Sequence, residues 1–133
     1  MYAKKIAVTV STLLAVAGIG LAAAPAQAAE GCNTPEACLS YNSNLQGAIF
    51  VHQTSLADYA GYAFSISSYG GSAGAGQFVK NNAASVENLN LNYRYRVYYN
   101  SNYSGAYQTV GTEAWANLNS TLKNENASGA FIN

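Results

Sequence analysis

The sequence predicts an all-β protein: an antiparallel sandwich with Greek-key connections, made of one unit used twice. Three observations carry this. First, Tyr41-Asn42-Ser43-Asn44-Leu45-Gln46-Gly47-Ala48 returns as Tyr99-Asn100-Ser101-Asn102-Tyr103-Ser104-Gly105-Ala106, with six of eight positions identical. A second echo follows each copy in the same order, Lys80-Asn81-Asn82-Ala83-Ala84-Ser85 and then Lys123-Asn124-Glu125-Asn126-Ala127-Ser128. Two echoes in matching order mark an internal repeat. Second, Leu89, Leu91, Tyr93, Tyr95, Val97 and Tyr99 alternate with Asn88, Asn90, Asn92, Arg94, Arg96 and Tyr98, the period of a strand with one apolar face. Third, no stretch beyond the N-terminal leader shows a helical period with caps, and residues 115–122 hold one turn of helix at most. Each unit alone is too small to bury a core, so the apolar faces of two half-units, about 32–89 and 90–133, must cover one another.

The chain opens with a segment outside that fold. Lys4 and Lys5 precede an apolar run from Ile6 to Ala24, and Ala26-Gln27-Ala28 supplies the small residues a signal peptidase needs. Residues 1–28 therefore read as a secretory signal peptide, and the mature protein as a secreted, extracellular single domain. Its four cations, Lys80, Arg94, Arg96 and Lys123, face six acids, for a net charge of −2. Such a surface has no footprint for nucleic acid or an anionic membrane. Cys32 and Cys38 are the only cysteines, and in an exported chain the pair is expected to be a disulfide. Its role is local, tying the mature N-terminus to the first strand, with Thr34-Pro35-Glu36 as the turn between.

Ala37–Tyr41 reads as the first strand and Gly47–Gln53, rich in β-formers, as the second. Tyr-Asn-Ser-Asn-x-x-Gly between them is a folded hairpin: Asn and Ser bond their own backbone, and Gly47 and Gly105 supply φ > 0. Tyr41, Leu45 and Gly47 belong to the first hairpin, and Tyr98, Tyr103 and Gly105 to the second, with Leu45 and Tyr103 folding over it. The first unit carries about 15 extra residues within 55–77, where Tyr59, Tyr62, Phe64 and Tyr69 precede Gly70-Gly71-Ser72-Ala73-Gly74-Ala75-Gly76. Aromatics beside a flexible run suit a functional surface loop. They equally suit a hairpin packed on the core with its glycines as a mobile tip, and we expect the second arrangement because most aromatics are structural. The long alternation from 88 to 99 would span about 40 Å as one strand, too much for this domain, so a turn is expected near Asn90-Leu91-Asn92, at the seam between the units. Gly105–Val110, Ala114–Ala116 and Gly129–Ile132 complete the strands.

Tyr98, four residues, then Tyr103-Ser104-Gly105 resembles the folded-hairpin signature of the βγ-crystallins. Within that superfamily, Cys32, five residues, Cys38, then Tyr41 and Leu45-Gln46-Gly47-Ala48 resemble the secreted peptidase inhibitor family typified by the Streptomyces metalloproteinase inhibitor. The resemblance covers most of the mature chain. It implies a βγ-crystallin-like sandwich of two Greek keys, secretion, and inhibition of an extracellular protease, a zinc enzyme of the thermolysin type. Two departures stand out. Ser40 occupies the first aromatic position of the first hairpin signature, and the second disulfide that constrains the typifying inhibitor's binding loop has no counterpart. No inhibitory loop is assigned from the sequence.

The resemblance also implies a calcium element. Asn81, Asn82 and Ser85, and less closely Asn124, Glu125 and Ser128, follow its pattern. Calcium gains affinity from carboxylates, and here one Glu stands among amides. Any calcium site would be weak, and these residues are expected first to hold turns. No cofactor is otherwise implied. His52 is the sole histidine and sits among apolar residues of a strand; no catalytic motif accompanies it, and a triad with Asp58 and a serine is disfavoured. The expectation is a monomeric, non-enzymatic inhibitor. The alternative is an extracellular binding or structural module of βγ-crystallin type, and an antimicrobial effector ranks third.

Overall fold

The computed structural model describes residues 28–133, so the signal-peptide reading lies outside the described residues except for Ala28. Seven strands form: β1 (Ala37–Ser40), β2 (Ile49–His52), β3 (Ser85–Asn88), β4 (Arg94–Asn100), β5 (Ser104–Val110), β6 (Ala114–Asn117) and β7 (Ser128–Ile132). They make two antiparallel sheets, β2-β1-β3-β6 and β5-β4-β7. Among the described residues there is no α-helix, and none long and apolar enough to cross a membrane; 119–124 form turns only.

The two halves exchange a strand. β6, from the second half, pairs with β3 in the first sheet, Val86 opposite Ala116. Leu56, from the first half, pairs with Gly129 of β7, each N–H donating to the other's carbonyl at 2.8 and 3.0 Å. Each sheet is thus completed by the other half, which makes the two Greek keys interdependent. Between the sheets Leu39 and Val86 pack with Tyr95, Val97 and Val110, and Tyr59, Phe64, Val79, Leu118 and Leu122 fill in from the connections. Full burial of one such side chain contributes about 1.5–3 kcal/mol.

The alternation around β4 is interrupted twice. β3 ends at Asn88 and β4 begins at Arg94, so the expected turn occupies 89–93. Later a bulge shifts the β4–β5 register between Tyr98 and Asn100. It turns Tyr98 inward and leaves Tyr99 exposed, the reverse of the strict alternation. β3, with Ser85-Val86-Glu87-Asn88, was too short and polar to signal itself.

The insertion packs differently from the expected mobile tip. Ile49 and Ser65 exchange both backbone hydrogen bonds at 2.8 Å, which extends the first sheet beyond β2. Gly47 N–H donates to the Gly70 carbonyl at 2.7 Å, and Ala48 N–H to that of Ala73 at 2.8 Å. A Cβ on Gly74 would lie 2.2 Å from the Tyr41 ring, and one on Gly70 would lie 2.6 Å from the Gly47 carbonyl. Gly70 and Gly74 lie against the first hairpin because only hydrogen side chains permit that approach. Tyr59 and Phe64 are buried, while Tyr62 and Tyr69 are exposed.

Candidate functional site

The folded hairpins share one backbone shape. Asn44, Leu45 and Gly47 have φ of 61°, 57° and 81°; Asn102, Tyr103 and Gly105 have 61°, 58° and 82°. Holding Leu45 and Tyr103 left-handed costs of order 1 kcal/mol each, and a serine clasp offsets it. Ser85 Oγ accepts from Leu45 N–H at 3.0 Å and donates to the Asn42 carbonyl at 2.6 Å. Ser128 Oγ accepts from Tyr103 N–H at 3.1 Å and donates to the Asn100 carbonyl at 2.6 Å. Each hairpin tip is also held by the exchanged segment. Asn44 N–H donates to Asn117 Oδ1 at 2.7 Å, and Asn102 N–H to the Ala57 carbonyl at 2.7 Å. Tyr41 meets Phe64 edge-on at 5.6 Å, and Tyr98 meets Tyr103 at 5.9 Å.

The asparagine turns are likewise paired. Asn81 and Asn124 are left-handed, with φ of 64° and 59°. Asn81 N–H donates to the Asn126 carbonyl at 2.7 Å, and Asn124 N–H to that of Ala83 at 2.9 Å. The buried Asn126 side chain locks this seam: Oδ1 accepts from Ala83 N–H, and Nδ2 donates to the Ala83 and Leu122 carbonyls. Asn82 Nδ2 donates to the Phe78 carbonyl at 2.8 Å. Of the side-chain oxygens the calcium pattern would use, the Ser85 and Ser128 hydroxyls already accept protein hydrogen bonds. Ser85 and Ser128 are occupied as clasps, and Glu125 stands exposed at the surface. A cleft of about 330 Å³ opens between the first hairpin and both turns, lined by Tyr41, Asn42, Ser43, Asn82, Ala84, Lys123 and Asn124.

His52 is buried in β2, stacked on Phe50. Its Nε2 lies 2.6 Å from the Tyr95 hydroxyl, which lies 2.8 Å from that of Tyr59. Burial pushes the imidazole down to about 4 and both phenols upward. No carboxylate joins this chain: Asp58 instead pairs with Lys80 at 3.0 Å. Cys32 and Cys38 are bonded to each other, so their sulfurs and the nearby Glu36 carboxylate are not a metal site.

The seam loop 88–93 was read from the sequence only as a turn. Its residues pass for strand by alternation, yet Asn at 88, 90 and 92 is also the spacing of consecutive side-chain turns. Asn88 Oδ1 accepts from Asn90 N–H at 3.1 Å, and Asn90 Oδ1 from Asn92 and Tyr93 N–H, both at 2.9 Å. Asn88 Nδ2 donates to the Tyr93 and Gly111 carbonyls at 2.9 Å. The loop is further tied to the disulfide turn. Asn90 Nδ2 donates to the Pro35 carbonyl at 3.1 Å, and Leu89 N–H to that of Glu36 at 2.8 Å. At its tip Leu91 is 54% exposed and Tyr93 44%.

Against known families, the model described as Peptidase inhibitor family I36 matches residues 25–110. The chain belongs to peptidase inhibitor family I36. The matched span takes in the disulfide turn, the first half, the seam loop and the second hairpin. Family I36 membership points to a non-enzymatic protein with a protease as its partner. Two solved structures show the same fold. One comes from work on the evolution of the eye-lens βγ-crystallin domain fold: TM-score 0.57, 14% identity, 85% of this chain and 93% of that one covered. The other is a βγ-crystallin from an archaeon: TM-score 0.52, 19% identity, 75% and 100% covered. No functionally curated protein matches the chain.

Proposed function

We propose that this protein is a secreted inhibitor that enters the cleft of an extracellular protease with the seam loop Asn88–Tyr93. The observation that carries this reading is an exposed leucine on a loop fixed from within by asparagine side chains. A segment that binds like a substrate must be ordered beforehand, because freezing a loose loop subtracts from affinity. Here six side-chain hydrogen bonds from Asn88 and Asn90 do the work a second disulfide would do. The carbonyls of Asn90, Leu91 and Asn92 accept no hydrogen bond from the described residues, which leaves them for the protease backbone. Phe78 is more exposed, at 67%, but it fits less well. Its carbonyl accepts from Asn82, and Val79 beside it is buried. Leu91 suits a protease whose pocket takes a branched aliphatic side chain, and the family resemblance favours a metalloprotease of the thermolysin type.

The test is titration of a thermolysin-type and a chymotrypsin-type enzyme with the mature chain. Inhibition of the first is expected. Leu91→Asp is expected to weaken it at least about tenfold without moving the melting point, as loss of a buried anchor of about 1.4 kcal/mol or more requires. Phe78→Ala is expected to leave it unchanged. No inhibition of either enzyme at micromolar protein would overturn the function, and full activity of Leu91→Asp would overturn the loop.

A further inference from the structure

We propose that the ammonium of Lys80 stands in for calcium at the turn facing the second hairpin, so that the chain supplies its own cation at this surface site and takes up no metal there. Lys80 directly precedes the left-handed Asn81. Its Nζ lies 3.0 Å from Asp58 Oδ1 and donates to Ser101 Oγ at 3.1 Å. Three segments from both halves therefore meet on one positive charge: a turn of the first half, a hairpin of the second, and the crossing segment that follows Leu56. That is the bridging role a bound cation would play.

With the ammonium in place the donor set does not fit calcium. The ion takes six to eight oxygens and gains affinity with carboxylate charge. Asp58 supplies one carboxylate, and Lys80 neutralises it. A divalent ion would also have to settle beside an ammonium, and like charges a few ångström apart repel even near water.

The twin turn points the same way. Lys123 precedes Asn124 as Lys80 precedes Asn81, and Ser43 matches Ser101 in the repeat. Where the crossing segment of the first half reaches Asp58, the equivalent crossing in β6 supplies Asn117, bound to Asn44 on both its amide atoms. The cleft there is lined by Lys123 and neutral groups only, with no carboxylate. One turn is closed by its own lysine, and the other presents a positive charge to any approaching cation.

Calorimetry and thermal melts with calcium chloride, against potassium chloride at equal ionic strength, test this on the mature chain and on Lys80→Ser. The unaltered chain is expected to give no binding heat and a melting point moved by less than about 1 °C. Lys80→Ser frees Asp58 and Ser101, and calcium at about ten times its dissociation constant is expected to raise its melting point by about 5 °C or more. Asp58→Asn, which strands the ammonium, is expected to melt lower and to show no calcium response. A calcium response in the unaltered chain overturns the proposal. So does a Lys80→Ser chain that calcium leaves unmoved, whatever its stability.

Discussion

Acid is expected to loosen this fold over a defined range, through one residue. His52 is enclosed by Phe50, Tyr59, Tyr95 and Phe131, and its Nδ1 has no hydrogen-bond partner among the described residues. Charging the ring would place a cation and an unpaired donor in that pocket, and burial holds its pKa at about 4 instead of 6.5. Above pH 6.5 the ring is neutral in both folded and unfolded chains, and its full contribution is present. Between 6.5 and 4 the unfolded chain takes up a proton that the folded chain refuses, so stability falls as pH falls. Below 4 both states are protonated and the loss is complete. That interval, at about 1.4 kcal/mol per pH unit, amounts to about 3 kcal/mol. The loss is a large share of the 5–15 kcal/mol typical of a domain. Asp58, held low by the Ala60 N–H and by Lys80, loses its contribution only in stronger acid. Urea unfolding at pH 7, 6, 5 and 4 reads the effect directly. His52→Phe keeps a ring against Phe50 but cannot take a proton, so its acid slope is expected to be flatter by about 2–3 kcal/mol over the range. Parallel slopes for the two proteins would refute the reasoning.

Gly129→Ala would place a Cβ 2.0 Å from the Tyr95 hydroxyl and 2.1 Å from that of Tyr59; a loss of about 2–4 kcal/mol is expected, since the ring chain must move and its hydrogen bonds go with it, measured as a lower urea midpoint. Ser85→Ala and Ser128→Ala each leave a left-handed hairpin residue and a carbonyl without the clasp, and each is expected to cost about 1–2 kcal/mol, the two losses being similar because the geometries match. Replacing Cys32 and Cys38 together by Ser removes a short cross-link worth about 2 kcal/mol in melts, and is expected also to weaken inhibition because the seam loop rests on that turn.

What the residues announced was the part that is repeated. Tyr-Asn-Ser-Asn-x-x-Gly called for φ > 0 at its glycine, and Gly47 and Gly105 take it at 81° and 82°; the left-handed residues before each glycine came only with the structure. The alternation around β4 announced a strand and, by its excessive length, a turn. Three features were not legible, each for a physical reason. Glycine's freedom says that a backbone can approach something closely but not what it approaches, so the run 70–76 gave no sign that it lies on Tyr41. The exchange of Leu56 rests on a single bridge to Gly129, with no periodicity to detect. The bulge at Tyr98–Asn100 reverses which tyrosine is buried, and tyrosine fits either face of a sheet. The seam loop was hidden by ambiguity of a different sort. Asn-Leu-Asn-Leu-Asn satisfies the strand period, yet each Asn can instead accept the amide two residues on, and the second choice prevailed at Asn88 and Asn90.

That choice explains why the two-fold plan leaves room for a function. Hairpins, serine clasps and asparagine turns have twins, and each twin is committed to holding its partner; a change at Ser85 or Gly47 would be felt in the core. The disulfide turn, the insertion and the seam loop have no twin. Of these, the insertion is spent covering the first hairpin, with Gly74 against Tyr41 and Gly70 against the Gly47 carbonyl. The disulfide turn and the seam loop brace each other instead, through the Pro35 and Glu36 carbonyls, and between them leave Leu91 in solvent. A side chain there can be exchanged without touching the sandwich, because none of the loop's restraints passes through it. Selection for a different protease pocket would therefore act on Leu91 and Asn92 first, while Asn88 and Asn90, whose amides fix the loop, would have to stay.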